Sequence, residues 1–339
     1  MKPLARQLVT VYLASAVCVT AGLTALLAAS TPAQDGANRP RILGVAHVAF
    51  YVSDLARTRT FYKDFLGFDE EPFTLKKRDG SERIVFIKIN DRQYLELFAE
   101  EPRAGERLNH VSIYTDDADR MRTYLATKSV SVPEKVGKGQ TGNKNFNIKD
   151  PDDHIIEIVE YQPDSMTSKD AGQHMPDTRV STHIMHAGFL VGDLDTSIGF
   201  YRGILGFGEF WRGSAGSGTS LSWVNMRVPE GDDYVEFMLY GKLPAPEERG
   251  TKNHVSLMVP DAQKAVDELR KRAARGAYAK EIAIQVGVNR KRQVNLFDPD
   301  GTRIELMEPV TIDGKPAPSS TAPPPRHGSQ GDPFPRDIE

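Results

Sequence analysis

The chain has 339 residues, 39% hydrophobic, 26% charged and 8% aromatic, an ordinary globular composition that excludes collagen, coiled coil and a wholly disordered chain. Its 43 Lys+Arg against 46 Asp+Glu give a formal charge of −3, and no basic run speaks for a nucleic-acid partner. The single cysteine, Cys18, lies in an N-terminal apolar stretch, so the rest of the chain offers no disulfide, thiolate site or thiol nucleophile. Any metal there must be held by His, Asp and Glu.

Residues 1–33 read as a signal peptide. Lys2 and Arg6 precede the apolar run from Leu8 to Leu27, and Thr31-Pro32-Ala33 offers a cleavage site before Gln34. The alternative is an uncleaved anchor, because ~20 apolar residues can span a bilayer. Val17, where a lipoprotein signal wants a small residue, argues against lipidation of Cys18. The expected location is therefore exported, periplasmic or secreted, or else membrane-anchored by this segment. Residues 34–41 form a polar linker.

The remainder is a duplication. Ala46-His47-Val48-Ala49-Phe50-Tyr51-Val52, then Asp54-Leu55 and Phe61-Tyr62-Lys63-Asp64-Phe65-Leu66-Gly67-Phe68, recurs 139 residues later. There it reads Met185-His186-Ala187-Gly188-Phe189-Leu190-Val191, then Asp193-Leu194 and Phe200-Tyr201-Arg202-Gly203-Ile204-Leu205-Gly206-Phe207. Tyr94-Leu95-Glu96 matches Tyr234-Val235-Glu236, Asn109-His110-Val111 matches Asn253-His254-Val255, and Asp150-Pro151-Asp152 matches Asp298-Pro299-Asp300. Residues 42–161 and 182–309 are thus read as two copies of one domain, joined by the polar linker 162–181. Residues 310–339, rich in Pro, Ser and Gly, read as a disordered tail.

Each copy is itself halved. His47, His110, His186 and His254 each open a strand that leads into a helix, with N-caps expected at Asp54, Asp116, Asp193 and Asp261. Short β-rich runs follow: Ile84 to Ile89, Tyr94 to Phe98, Tyr234 to Leu239 and Arg303 to Met307. The fold class is α+β, built from four modules of β, α and about three further strands.

Each module also ends in a strand with a central glutamate: Glu96, Glu157, Glu236 and Glu305. Strand parity puts His47, Ala49 and Tyr51 opposite Val48, Phe50 and Val52, and puts Glu157 and Glu305 opposite their aliphatic neighbours. If the sheets curl, these His and Glu side chains face a cavity. Buried carboxylates need compensation, and two imidazoles with two carboxylates suit a divalent cation: Zn, Ni, Fe(II), Mn or Co. Tyr51, Tyr94, Tyr114 and Tyr234 share that face, as candidates to hold substrate oxygens or simply to line the pocket. Asp150-Pro151 and Asp298-Pro299 are expected to shape the turn into the last strand. His154, His174, His183 and His327 are expected to be solvated.

These modules resemble the βαβββ units of the vicinal oxygen chelate superfamily, which includes glyoxalase I, extradiol dioxygenases and bleomycin-resistance proteins. The Phe-Tyr-x-x-x-Leu-Gly-Phe segments and Asp298-Pro299-Asp300-Gly301…Ile304-Glu305 carry the likeness. It implies four βαβββ modules paired into two curled mixed-sheet, glyoxalase-like domains. It further implies one metal site from His47, Glu96, His110 and Glu157, and another from His186, Glu236, His254 and Glu305. The implied activity is that of a metal-dependent lyase, isomerase or epimerase. The metal chelates vicinal oxygens of a small substrate and stabilises an enolate, with Glu157 or Glu305 as the proton-transfer base. An Fe(II) extradiol dioxygenase using His186, His254 and Glu305 is the alternative. However, Gln293-Val294-Asn295-Leu296-Phe297 lacks the His and Tyr that such enzymes carry before the last ligand. A non-catalytic binding protein on the same scaffold is a third reading. Export sits poorly with glutathione, a mainly cytosolic compound, as the substrate.

Overall fold

The computed structural model describes residues 38–101, 105–216, 218–326 and 328. The expected signal or anchor with Cys18, His327 and the end of the tail lie outside these residues. Among the described residues, no helix is long and apolar enough to cross a membrane.

Eight strands form the first sheet: β1 (Ile42–Tyr51), β2 (Thr74–Lys76), β3 (Glu82–Asn90), β4 (Gln93–Phe98), β5 (Leu108–Thr115), β6 (Gly137–Lys138), β7 (Lys144–Lys149) and β8 (Ile155–Glu160). Their order is β2-β3-β4-β1-β5-β8-β7-β6. The second sheet holds β9 (Ile184–Val191), β10 (Gly208–Gly213), β11 (Trp223–Arg227), β12 (Tyr234–Leu239), β13 (His254–Met258), β14 (Ile284–Val286), β15 (Lys291–Phe297) and β16 (Arg303–Thr311). Its order, β10-β11-β12-β9-β13-β16-β15-β14, repeats the first strand for strand. Within each sheet two βαβββ modules meet at an antiparallel seam, β1 on β5 and β9 on β13, while the first and last strands of a module run parallel. The α+β architecture of two curled mixed sheets is the one the family resemblance implies.

The helices are α1 (Leu55–Arg59), continued by a π-helical turn over Thr60–Phe65, α2 (Ala118–Thr127), α3 (Met166–Lys169), α4 (Leu194–Tyr201), α5 (Pro246–Arg249) and α6 (Ala262–Lys271). α1, α2, α4 and α6 each follow the first strand of a module. Their N-caps are Asp54, Asp117, Asp193 and Asp261, whose carboxylates accept from first-turn backbone N–H groups. The cap expected at Asp116 falls one residue later. Asp116 is engaged by Arg41, whose backbone N and Nε donate to it at 3.0 and 2.7 Å.

These helices cover one face of each sheet. Val48, Phe50 and Val52 point into that layer with Phe61, Tyr62 and Phe65, and the apolar cluster runs unbroken into Phe189, Tyr201 and Phe237 of the second copy. The alternation that buries these residues sends His47, Ala49 and Tyr51 to the other, concave face.

Two expectations need correction. Residues 312–326 are not a detached tail: Ser320 N donates to Arg212 O, and Pro323 O accepts from Leu221 N, so this stretch lies along the open side of β10 and its following loop. Unpaired edge groups there find partners in a proline-rich segment that could not build a core of its own. Nor do three of the histidines stand free in solvent: one is buried, and two are half-buried and paired. His154 is buried, with Nδ1 3.0 Å from Asp150 Oδ2, and His183 lies 2.8 Å from Asp233. His174 is paired with Asp170.

Candidate metal centre

The registry of four adjacent strands, β4-β1-β5-β8, builds the first site. Glu96, Ala49 and His110 lie side by side in one row. His47, Ser112 and Glu157 form the next row on the same face. The two central residues are small, so the four larger side chains lean together over Ala49 and Ser112. His47 Nε2 lies 2.8 Å from His110 Nε2, 2.9 Å from Glu157 Oε2 and 3.5 Å from Glu96 Oε1. His110 Nε2 lies 3.8 Å from Glu157 and 3.9 Å from Glu96. Ligand atoms of His47, His110 and Glu157 all lie within 4.8 Å of one another, and Glu96 adjoins both histidines.

Their surroundings prepare them for a cation. Asn109 Oδ1 lies 2.7 Å from His110 Nδ1 and accepts its N–H, which leaves the Nε2 lone pair directed inward. Asn145 Nδ2 donates to Glu157 Oε1 at 2.5 Å. Burial opposes protonation of His47, but the Glu96 and Glu157 charges outweigh it and raise the imidazole. Burial, with the Glu157 charge, pushes the Glu96 carboxyl up. Burial would raise Glu157 too, yet His47, His110 and Asn145 hold it down. His110 is lowered to about 4 by burial and by His47. The groups acting on this quartet are its own members, Asn145 and burial, with no lysine or arginine among them. Arg83, which lines the same cavity, pairs with Glu100, so the two buried carboxylates are left facing the histidines, a donor set that fits a divalent ion.

The quartet forms the floor of a cavity of about 580 Å³. Tyr51 and Tyr94 line it, as expected. Tyr114 does not; its ring stacks at 4.8 Å on Tyr161, which does. Asn145, Asn147 and Thr167 also line it and were missed. The period-two pattern Asn145-Phe146-Asn147-Ile148, polar on one face and apolar on the other, is the signal that would have found the two asparagines.

The second site repeats the rows, Glu236 with Gly188 and His254, and His186 with Ser256 and Glu305, but not the environment. His186 Nε2 lies 3.1 Å from His254 Nε2 and 3.5 Å from Glu305 Oε2, and His254 Nε2 lies 3.6 Å from Glu236 Oε1. Here Arg303 Nη2 sits 2.6 Å from His254 Nδ1. Asn253, the counterpart of Asn109, turns away to Leu190 N and Glu106. Burial and the Arg303 charge lower both histidines well below the usual imidazole value. Burial raises Glu236 and Glu305, with Arg303 and Lys291 opposing it. Both histidines are 0% exposed, against 6% and 7% for His47 and His110, and neither reaches the cavity beside them. Tyr234 lies over His186 at 4.6 Å between ring centres, rather than lining that cavity.

A family model described as the Glyoxalase/Bleomycin resistance protein/Dioxygenase superfamily matches this chain twice, over residues 44–158 and 183–306. Solved structures share the fold at low identity. The 2,3-dioxygenase LapB from Pseudomonas sp. KL28 is 15% identical with a TM-score of 0.62, the match covering 82% of this chain and 97% of that one. A Mn(II)-bound glyoxalase from Novosphingobium aromaticivorans is 15% identical with a TM-score of 0.61, over 84% and 89%. A homoprotocatechuate 2,3-dioxygenase from Brevibacterium fuscum is 15% identical with a TM-score of 0.58, over 80% and 72%. No curated protein matches in sequence.

Proposed function

The chain belongs to the Glyoxalase/Bleomycin resistance protein/Dioxygenase superfamily, and on that premise we propose that it is an exported enzyme of the lyase, isomerase or epimerase type. Its working centre is the first copy. The observation that carries this reading is the convergence of His47, Glu96, His110 and Glu157 on the floor of a cavity of about 580 Å³. These four would hold a divalent ion, which would supply Lewis acidity toward a small substrate with two neighbouring oxygens.

The chain's own groups do the rest. Glu157 moves a proton to or from the substrate carbon next to its oxygens, with Asn145 fixing one carboxylate oxygen and leaving the other at the cavity floor. Asn109 keeps His110 in the tautomer that offers Nε2 to the site. Tyr51, Tyr94 and Asn147 line the cavity and orient the substrate. The N-terminal apolar run supports export, and with it a substrate other than a glutathione adduct.

The test is anaerobic proton exchange. The protein loaded with Zn, Ni, Mn, Co or Fe(II) is incubated in D₂O with small 2-hydroxy- and 2-oxo-carbonyl compounds, and deuterium at the carbon next to the carbonyl is read by NMR. Exchange that is lost in Glu157→Gln and His47→Ala supports the reading. Oxygen uptake with a catechol, without anaerobic exchange, replaces it with extradiol cleavage. Neither activity in any metal form leaves a binding protein.

A further inference from the structure

We propose that the second copy is a metal-free pocket for a neutral, polyhydroxylated ring of monosaccharide size. Three differences between the copies take the metal away. A guanidinium only donates hydrogen bonds, so His254 Nδ1 must accept from Arg303, and the proton of the neutral ring sits on Nε2. That is the nitrogen a metal would need. The first copy has Ile155 at this place. Gly188 replaces Ala49, and a Cβ at Gly188 would come within 1.9 Å of His254 Cε1, so the ring fills space that Ala49 denies to His110. The third change is in partners rather than residue type: Asn253 bonds to Leu190 N and Glu106 and leaves the histidine to Arg303.

What remains is a cavity of about 200 Å³ that neither histidine lines. Its wall holds Trp211, Trp223, Glu236, Arg303, Glu305 and Gln293. The Trp211 indole lies across Gly213, where a Cβ would stand 2.2 Å from Cη2, so the ring presents a platform. On this wall Trp211 Nε1 and Arg303 Nε are buried donors with no hydrogen-bond partner, and Glu305 Oε2 is a buried acceptor with none. Such atoms are costly to leave unpaired, and a ligand carrying hydroxyls answers donors and acceptors alike. Glu236, Glu305 and Arg303 share this wall, so donors and acceptors stand side by side in it. A ring with a C–H face for the indole and hydroxyls for its rim meets all of these conditions.

Trp211 and Trp223 are the only tryptophans in the chain, and both line this cavity. Tryptophan emission therefore reports on this site alone. The full chain is titrated with D-glucose, D-xylose and myo-inositol, before and after EDTA treatment. A saturable change with a Kd on the order of 1 mM, unaffected by EDTA and weakened about tenfold or more in Trp211→Phe, is expected, with Trp223 still reporting. The proposal is overturned by no saturation up to ~100 mM with any of the three, by loss of the response on EDTA treatment, or by saturation with phenol alone. A metal equivalent that is present in the wild type and lost in His254→Ala also overturns it, without touching the assignment of the first copy.

Discussion

Tyr62 of the first copy donates its hydroxyl to Asp298 of the second at 3.2 Å, and Tyr201 of the second donates to Asp150 of the first at 3.0 Å. The two motifs that mark the repeat are thus each other's partners across the copies. Asp298 also gathers the backbone N–H groups of Asp300 and Thr302, as Asp150 gathers those of Asp152 and His154. The turn into each last strand is therefore tied to the neighbouring domain.

This arrangement gives the protein a pH-dependent element away from both sites. Burial, followed by the Asp300 charge, raises Asp298 to about 6 from 3.8. The native state then binds this proton more tightly than the unfolded chain. Stability from this group is full below pH 3.8 and is lost as pH rises through about 6. Asp298→Asn keeps an acceptor for the turn and an amide to donate to Tyr62, but does not titrate. Urea unfolding from pH 4 to 7 is expected to show the wild type losing ~1–3 kcal/mol relative to this variant. Parallel curves would remove Asp298 as the source.

Asn109 is the cheapest way to weaken the first site without touching a ligand. Asn109→Ala removes the acceptor that orients His110, and metal affinity, read by competition with a chromophoric chelator, is expected to fall about 10–100-fold. Asn109→Asp keeps an acceptor and is expected to retain most of the affinity. Equal affinity in wild type and the alanine variant would show that the ring is held by packing instead.

Much of this was legible in the sequence. The duplicated Phe-Tyr and Asp-Pro-Asp segments announced the four modules, and strand parity alone put His47, Glu157 and their counterparts on the concave face. The cross-domain pairing was not legible, because Tyr62 could equally have met Asp150 within its own copy. His154 looked like a turn residue, since burial of a lone polar side chain leaves no periodic trace. The difference between the two sites was hidden by the identity of their eight ligand types. It lies in Ala49 against Gly188 and Ile155 against Arg303. The second contrast was visible, for residues 303 and 305 share a strand face and place a guanidinium beside the last glutamate.

Lys88 predicts the largest stability loss. Its side chain is buried, and Nζ bonds to Asp170 Oδ2 at 2.7 Å, Asp91 at 2.9 Å and the backbone oxygens of Asp170 and Gln173. It fastens the connection between the copies to β3. Lys88→Met would leave the buried Asp170 carboxylate with His174 as its remaining partner, at a cost of about 3–5 kcal/mol in chemical denaturation. A loss below ~1 kcal/mol would mean that the connection detaches without unfolding either sheet.

Exchanging the residues that distinguish the sites should exchange their properties. Ile155 lines the first cavity two residues before Glu157, as Arg303 stands two before Glu305. Ile155→Arg introduces a cation on the face that holds Glu96 and Glu157, and a donor within reach of the histidines. Metal content by mass spectrometry is expected to drop from one equivalent per chain by tenfold or more, about 1.4 kcal/mol at least. The reverse exchange needs two changes. Arg303→Ile frees His254 Nδ1, but the ring still lies over Gly188 and must be lifted by Gly188→Ala. The double variant is therefore expected to take up a second equivalent, while Arg303→Ile alone gains little. If Ile155→Arg keeps its metal and the double variant gains none, the charge and shape of these two positions do not decide which copy is the metal site.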